Sequence, residues 1–150
     1  MAMTEVRFLD PNQGERTMIT GFEAVYKTKQ DLTGDLQDYF VLTVPHGGGA
    51  PMHIHHKNDE TLHVIEGTFS LQMEDQVMDA PPGAFVYIPR GVPHKFTNVG
   101  SSAGRLVGTF TPSGTFTFFD ALTKIAPDDF DEIVAVSKKY GHEVLEEGSY

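Results

Sequence analysis

Apolar and polar positions alternate over short stretches along most of this chain, the period of half-buried strands. Residues 1–13 form a polar arm with one extended patch, Val6 to Leu9. Arg16 to Thr28 is β-prone through Met18, Ile19, Phe22, Val25 and Tyr26, and Asp31 to Asp35 makes a turn around Gly34. Leu36 to Val44 is the best central strand, rich in aromatic and β-branched residues, and Pro45 with Gly47, Gly48 and Gly49 ends it. Glu60 to Glu66 is a strand. Thr68 to Met73 is another, with Phe69, Leu71 and Met73 on one face. Glu74 to Gln76 turns without a glycine, and Pro81-Pro82-Gly83 is a strong turn. Ala84 to Ile88, Lys95 to Asn98 and Gly104 to Thr111 complete the strands. Many short strands between turn signals predict an all-β sandwich or barrel, with its core over about residues 16–112.

The pattern changes after Gly114. Gly114 to Ile125 begins with a strand-like T-F-T-F alternation, yet Phe116, Phe119 and Leu122 also fit helical spacing. From Pro127 a helix is predicted. Proline sits in its first turn, Asp128 and Asp129 complement its N-terminus, and Lys138 and Lys139 its C-terminus. Phe130, Ile133, Val134 and Ser137 share a face, and Gly141 stops it. This helix is expected to pack on the outside of the barrel; a cap over the barrel mouth or a dimer contact is the other use of such a face.

A chain of 150 residues is expected to form one domain, 1–150, with a core that needs no staples. A net charge of −10 argues against nucleic acid, which requires a basic footprint, and against an anionic membrane surface. The absence of cysteine excludes disulfides and thiol catalysis and suits a reducing cytoplasm. The opening Met1 to Phe8 lacks the basic-then-apolar pattern of a leader, and no apolar run approaches the length of a membrane span. A cytoplasmic protein is expected.

Candidate chemistry lies in two clusters. From His46 to Gly67 the chain reads H-G-G-G-A-P-M-H-I-H-H-K-N-D-E-T-L-H-V-I-E-G, and from Gly83 to Asn98 it reads G-A-F-V-Y-I-P-R-G-V-P-H-K-F-T-N. His53 and His55, two apart in a strand, point to one face and can aim two imidazoles at one point. Glu60 follows after turn-forming Lys57, Asn58 and Asp59, and Pro89, Gly91 and Pro93 make a tight approach to His94. Three neutral imidazoles and a carboxylate suit one divalent first-row cation: iron, manganese, nickel, cobalt, copper or zinc. Spacing does not choose among them. The expected metal ligands are therefore His53, His55, Glu60 and His94. His56 should point away from the pair, His63 lies an odd number of positions from Glu60, and His46 and His142 fall outside the cluster geometry; none of these four is expected to bind metal. Phe96 shares a face with His94 and is the first candidate for a substrate-binding wall, and Phe40, Phe85 and Tyr87 could supply further aromatic surface.

Within these clusters Gly47, His53, His55, Glu60 and Gly67 follow G-x5-H-x-H-x4-E-x6-G, and Gly83, Pro89, Gly91, His94 and Asn98 follow G-x5-P-x-G-x2-H-x3-N. The chain thereby resembles the cupin superfamily. From Pro51 to Phe119, and again at K-K-Y-G-H-E-V-L, it is similar to single-domain bacterial cupins related to quercetin 2,3-dioxygenase. The resemblance implies an antiparallel jelly-roll barrel with the metal inside, helices over about 114–145, and a homodimer. His63 stands where relatives commonly carry an aromatic ring. In the dioxygenases of this group, metal brings substrate and O2 together and the glutamate takes a proton from a substrate hydroxyl. Carried over, the catalytic role falls on Glu60, either on the metal or released from it as a base. The expected function is dioxygenase-like oxidation of a small enolic or phenolic, flavonoid-like molecule. The alternatives are a non-redox isomerase, cyclase or lyase acting on a sugar or polyketide, and a small-ligand-binding cupin without turnover.

Overall fold

A computed structural model describes residues 5–147. The outer ends of the expected 1–150 domain, including the first four residues of the leader reading, lie outside the described residues. Two antiparallel sheets face each other. The first contains β1 (Glu15–Ile19), β2 (Phe22–Thr28), β3 (Asp38–Val44), β5 (Asp59–Glu66), β8 (Phe85–Ile88) and β10 (Gly104–Thr111), in the order β1-β2-β3-β10-β5-β8. The second contains β4 (Gly49–His55), β6 (Phe69–Met73), β7 (Gln76–Ala80), β9 (His94–Asn98) and β11 (His142–Val144), in the order β11-β4-β9-β6-β7. Among the described residues there are also three helices: α1 (Gln30–Thr33), α2 (Thr115–Leu122) and α3 (Phe130–Lys139). This is the all-β jelly roll with C-terminal helices. Among the described residues no helix is long and apolar enough to cross a membrane.

Alternation builds the interior. Phe40, Leu42 and Val44 point inward from β3, Leu62 and Val64 from β5, and Leu106 and Phe110 from β10. Phe69, Leu71 and Phe96 face them from the second sheet. Burying each such side chain contributes about 1.5–3 kcal/mol relative to exposure. The Phe40 ring stacks between Tyr26 and Phe110, with centroids 5.3 and 5.5 Å away. Gly108 makes this possible: a Cβ there would lie 2.2 Å from the Phe40 ring.

Several elements differ from the sequence reading. The β-prone stretch 16–28 is a hairpin, β1 and β2, folded at Thr20-Gly21. The turn expected at Asp31–Asp35 is largely the short helix α1. Helix α3 starts at Phe130 and not at Pro127, because the Asp129 side chain caps it by accepting from the Glu132 amide at 3.2 Å. Its face is narrower than expected, with Ile133 and Ser137 buried and Phe130 and Val134 half-buried. The placement of the helical segment is also corrected. It covers the barrel mouth, since Phe118, Phe119 and Leu122 of α2 and Ser137 of α3 line the internal cavity. Two anchors hold it there. Buried Asp38 accepts from the amides of Gly114 and Thr115 (3.0 and 2.8 Å) and from the Thr115 hydroxyl (2.6 Å). Beyond α3, Gly141 takes the left-handed φ of 85° that lets the chain reverse, and β11 pairs with β4.

Candidate metal centre

The two sheets bring the four expected ligands to one point. His53 and His55 end β4, His94 opens β9 directly opposite His53, and Glu60 reaches across from β5. Ala50 and His53 are an odd number of residues apart, yet both face the interior. An irregularity in the β4–β9 register between them reverses the parity. Gly49 permits the close approach of these strands: a Cβ there would lie 2.0 Å from the Phe96 carbonyl oxygen.

One donor atom from each of His53, His55, Glu60 and His94 lies within 4.8 Å of every other. His53 Nε2 and His55 Nε2 are 3.1 Å apart, and Glu60 Oε2 is 2.8 Å from His55 Nε2 and 3.6 Å from His94 Nε2. Each imidazole is held from behind. The His53 Nδ1–H donates to the Pro51 carbonyl at 2.6 Å, and the His94 Nδ1–H donates to the Val92 carbonyl at 2.8 Å. Carbonyls only accept, so these bonds fix the tautomer and leave the Nε2 lone pairs aimed at the shared point. His55 Nδ1 meets His142 Nδ1 at 2.6 Å. Among the described residues, Glu60 Oε2 and His94 Nε2 are buried without a hydrogen bond of good geometry. Uncompensated buried polar atoms are costly; a cation shared by all four donors would satisfy both, so the donor set fits a first-row divalent metal.

The electrostatics agree. Burial would raise the Glu60 carboxyl, but His55 and His94 outweigh it and hold it below the ordinary carboxylate range. Burial, then repulsion from His94 and His55, pushes His53 well down, and burial lowers His55 despite Glu60. Burial also acts to lower His94, but the facing Glu60 carboxylate, 3.6 Å away, lifts it above the usual value. The cluster is thus a carboxylate facing imidazoles of which two are kept neutral, the protonation that metal binding needs.

The remaining sequence candidates divide clearly. Phe96 is buried on the cavity wall, as is Phe40. Phe85 and Tyr87 are 64% and 55% exposed on the outer face, so they offer the cavity no aromatic surface. The reason is parity, since inward Ile88 of the same strand pairs with Glu60. His63 is exposed, His56 meets Glu143 at the surface, and His46 contacts the Gly100 carbonyl. His142 is the residue that sequence reasoning missed. It is buried, stacks on Phe118 with centroids 3.9 Å apart, and orients His55 without joining the four donors. Its only signal in the chain is the short strand after a helix stop, which pairs His142 with His55.

The cavity beside the cluster has a volume of about 40 Å³. Residues 40–110 match the cupin domain family model. The chain thus carries a cupin domain and is similar to quercetin 2,3-dioxygenase. It is 28% identical to quercetin 2,3-dioxygenase of Bacillus subtilis over 88 residues, which make up 59% of this chain and 26% of that enzyme. The chain spans under half the length of the curated relatives it matches. Among solved structures it is similar to an RmlC-like cupin from Shewanella frigidimarina (TM-score 0.63, 19% identity, 75% of this chain and 96% of that one). It is also similar to the polyketide cyclase RemF from Streptomyces resistomycificus (TM-score 0.62, 18% identity, 71% and 80%).

Proposed function

We propose that this cupin is a metal-dependent, dioxygenase-like oxidoreductase acting on a small enolic or phenolic molecule, with His53, His55, Glu60 and His94 as the metal ligands. The observation that carries this reading is a capped apolar cavity lined by His53, His55 and Glu60 of a three-histidine, one-carboxylate cluster in which Glu60 Oε2 and His94 Nε2 lack a hydrogen bond of good geometry among the described residues. When bound, a redox-active first-row cation would supply Lewis acidity toward an enol oxygen and the one-electron chemistry that O2 requires. The chain's own groups do the rest. Phe96, Phe110 and Leu62 grip the carbon skeleton and exclude water. Glu60 accepts the substrate's hydroxyl proton at Oε2. A carboxylate held below its ordinary range is a weak base, so Glu60 gains basicity as a substrate oxygen separates it from His55. The similarity to a quercetin dioxygenase supports the oxidative reading. The cavity volume selects the compact end of the substrate class, because a three-ring flavonoid enters only if α2 and α3 lift.

The homodimer implied by the resemblance has a surface available. Edge strand β8 exposes Phe85 and Tyr87 on the outer face of its sheet, near Ile65 of β5.

The reaction is tested by O2 uptake of metal-reconstituted protein with compact enols and phenols. Uptake is expected, with a loss of at least about 100-fold in Glu60→Gln. Turnover that proceeds anaerobically with zinc would instead assign isomerase or cyclase chemistry, and ligand binding with no product would assign a binding protein.

A further inference from the structure

Two hydroxyls on the cavity wall have no role in the metal cluster. Thr20 is 7% exposed and Ser137 0%; both line the cavity, and neither hydroxyl oxygen has a hydrogen-bond partner among the described residues. Local structure asks for neither residue. Thr20 and Gly21 form the two-residue β1–β2 turn with φ of 52° and 83°. Two successive positive φ values belong to the type I′ turn, where Asn, Asp or Gly sit without strain. A β-branched threonine there is an outlier, and such strain concentrates at ligand sites. Ser137 lies inside α3, where its hydroxyl could bond the carbonyl one turn back, but it makes no such bond. Alanine would occupy that position with better helix propensity and no buried polar atom. Both residues therefore burden the fold and present a donor-acceptor group to the cavity.

The surroundings restrict what these groups can meet. Apart from the cluster and His142, the wall is chiefly apolar, with Phe40, Leu62, Phe96, Phe110, Phe118 and Phe119 prominent. No Lys or Arg lines it, so a carboxylate or phosphate remote from the cluster would find no counter-charge.

We infer that Thr20 and Ser137 are specificity residues that hydrogen-bond an uncharged polar group on the substrate while its enolic or hydroxy-carbonyl end sits at the His53–His55–Glu60–His94 cluster. This rests on the reading of the cavity as a metal-dependent substrate site. The substrate class it defines is a compact bifunctional molecule: an oxygen-donor head, a short apolar stretch, and a hydroxyl or carbonyl tail. Sugar phosphates and dicarboxylates fall outside it.

The test uses two probes of equal shape on the cobalt-loaded full chain, 3-hydroxypropanohydroxamate and butanohydroxamate. They share a metal-binding head and differ by a terminal hydroxyl against a methyl. Wild type is expected to prefer the hydroxylated probe about 3- to 10-fold, as read by the cobalt absorption band. Ser137→Ala and Thr20→Val, which remove the hydroxyls and keep the shape, are expected to reduce that preference toward unity with metal content unchanged. Thermal unfolding of the metal-free variants supplies a second readout. Because each hydroxyl is unpartnered, its removal is expected to leave the midpoint unchanged or raise it by up to about 2–4 °C. Equal binding of both probes by wild type, an undiminished preference in both variants, or a midpoint lowered by several degrees would overturn the assignment. Neither readout involves O2 or turnover, so failure of the dioxygenase reading appears separately, as an absence of uptake.

Discussion

Each imidazole of the cluster is oriented by a partner behind it, and these partners differed in how well the sequence showed them. For His53 and His94 the partner is a carbonyl two residues earlier in the chain, Pro51 or Val92, so the motif carries its own support. For His55 it is His142, 87 positions away, and no local spacing reveals that pairing. His142→Phe preserves the stack on Phe118 and removes the nitrogen facing His55. Its metal affinity, measured by chelator competition, is expected to fall about 10-fold or more, the usual effect of losing a residue that orients a ligand. The same imidazole sets a pH dependence. Burial, then the neighbouring His55, pulls His142 from 6.5 to about 2, and His53 and His55 shift the same way. Unfolded, these groups take up protons below about pH 6.5; folded, they do not, so the stability they contribute is present above that pH and lost as pH falls. His94, raised by Glu60, acts in the opposite sense and offsets one group's share. Metal-free protein is therefore expected to lose at least about 2 kcal/mol between pH 6.5 and 5 in urea unfolding, with a shallower slope in His142→Phe.

At the scale of elements, alternation made most strands readable. Residues such as Phe40, Leu42 and Val44 or Phe69 and Leu71 bury every second side chain. The strands that escaped lack that signal. β7 exposes four of its five residues, and β11 is three residues long, held by its pairing with β4 and not by its own sequence. The position of the cap was hidden for a similar reason. Its anchor is Asp38, a polar residue at the start of β3 whose partners, Gly114 and Thr115, lie over seventy positions on. Asp38→Ala removes three hydrogen bonds at the start of α2 and is expected to destabilise by about 2–3 kcal/mol, with faster proteolysis within residues 114–140 as the local readout. Gly108→Ala probes the barrel interior. The Phe40 ring cannot yield between Tyr26 and Phe110, so a loss of about 1–3 kcal/mol is expected from denaturant unfolding.

Across the whole molecule, the two sheets and the helical cap perform separate tasks. The sheets converge four donors that lie 41 positions apart between His53 and His94, and spacing alone foretold that convergence. The cap determines what shares the space with them, and this was not legible, because cavity size and hydroxyl placement arise from how α2 and α3 settle on the barrel. The central claim is that the four donors hold a cation, and elemental analysis of wild type and His55→Ala, both purified from the native host and checked for fold by circular dichroism, tests it most directly. About one first-row metal per chain in wild type and almost none in the variant is the expected result; undiminished metal in His55→Ala, or a folded wild type that binds none, would contradict it.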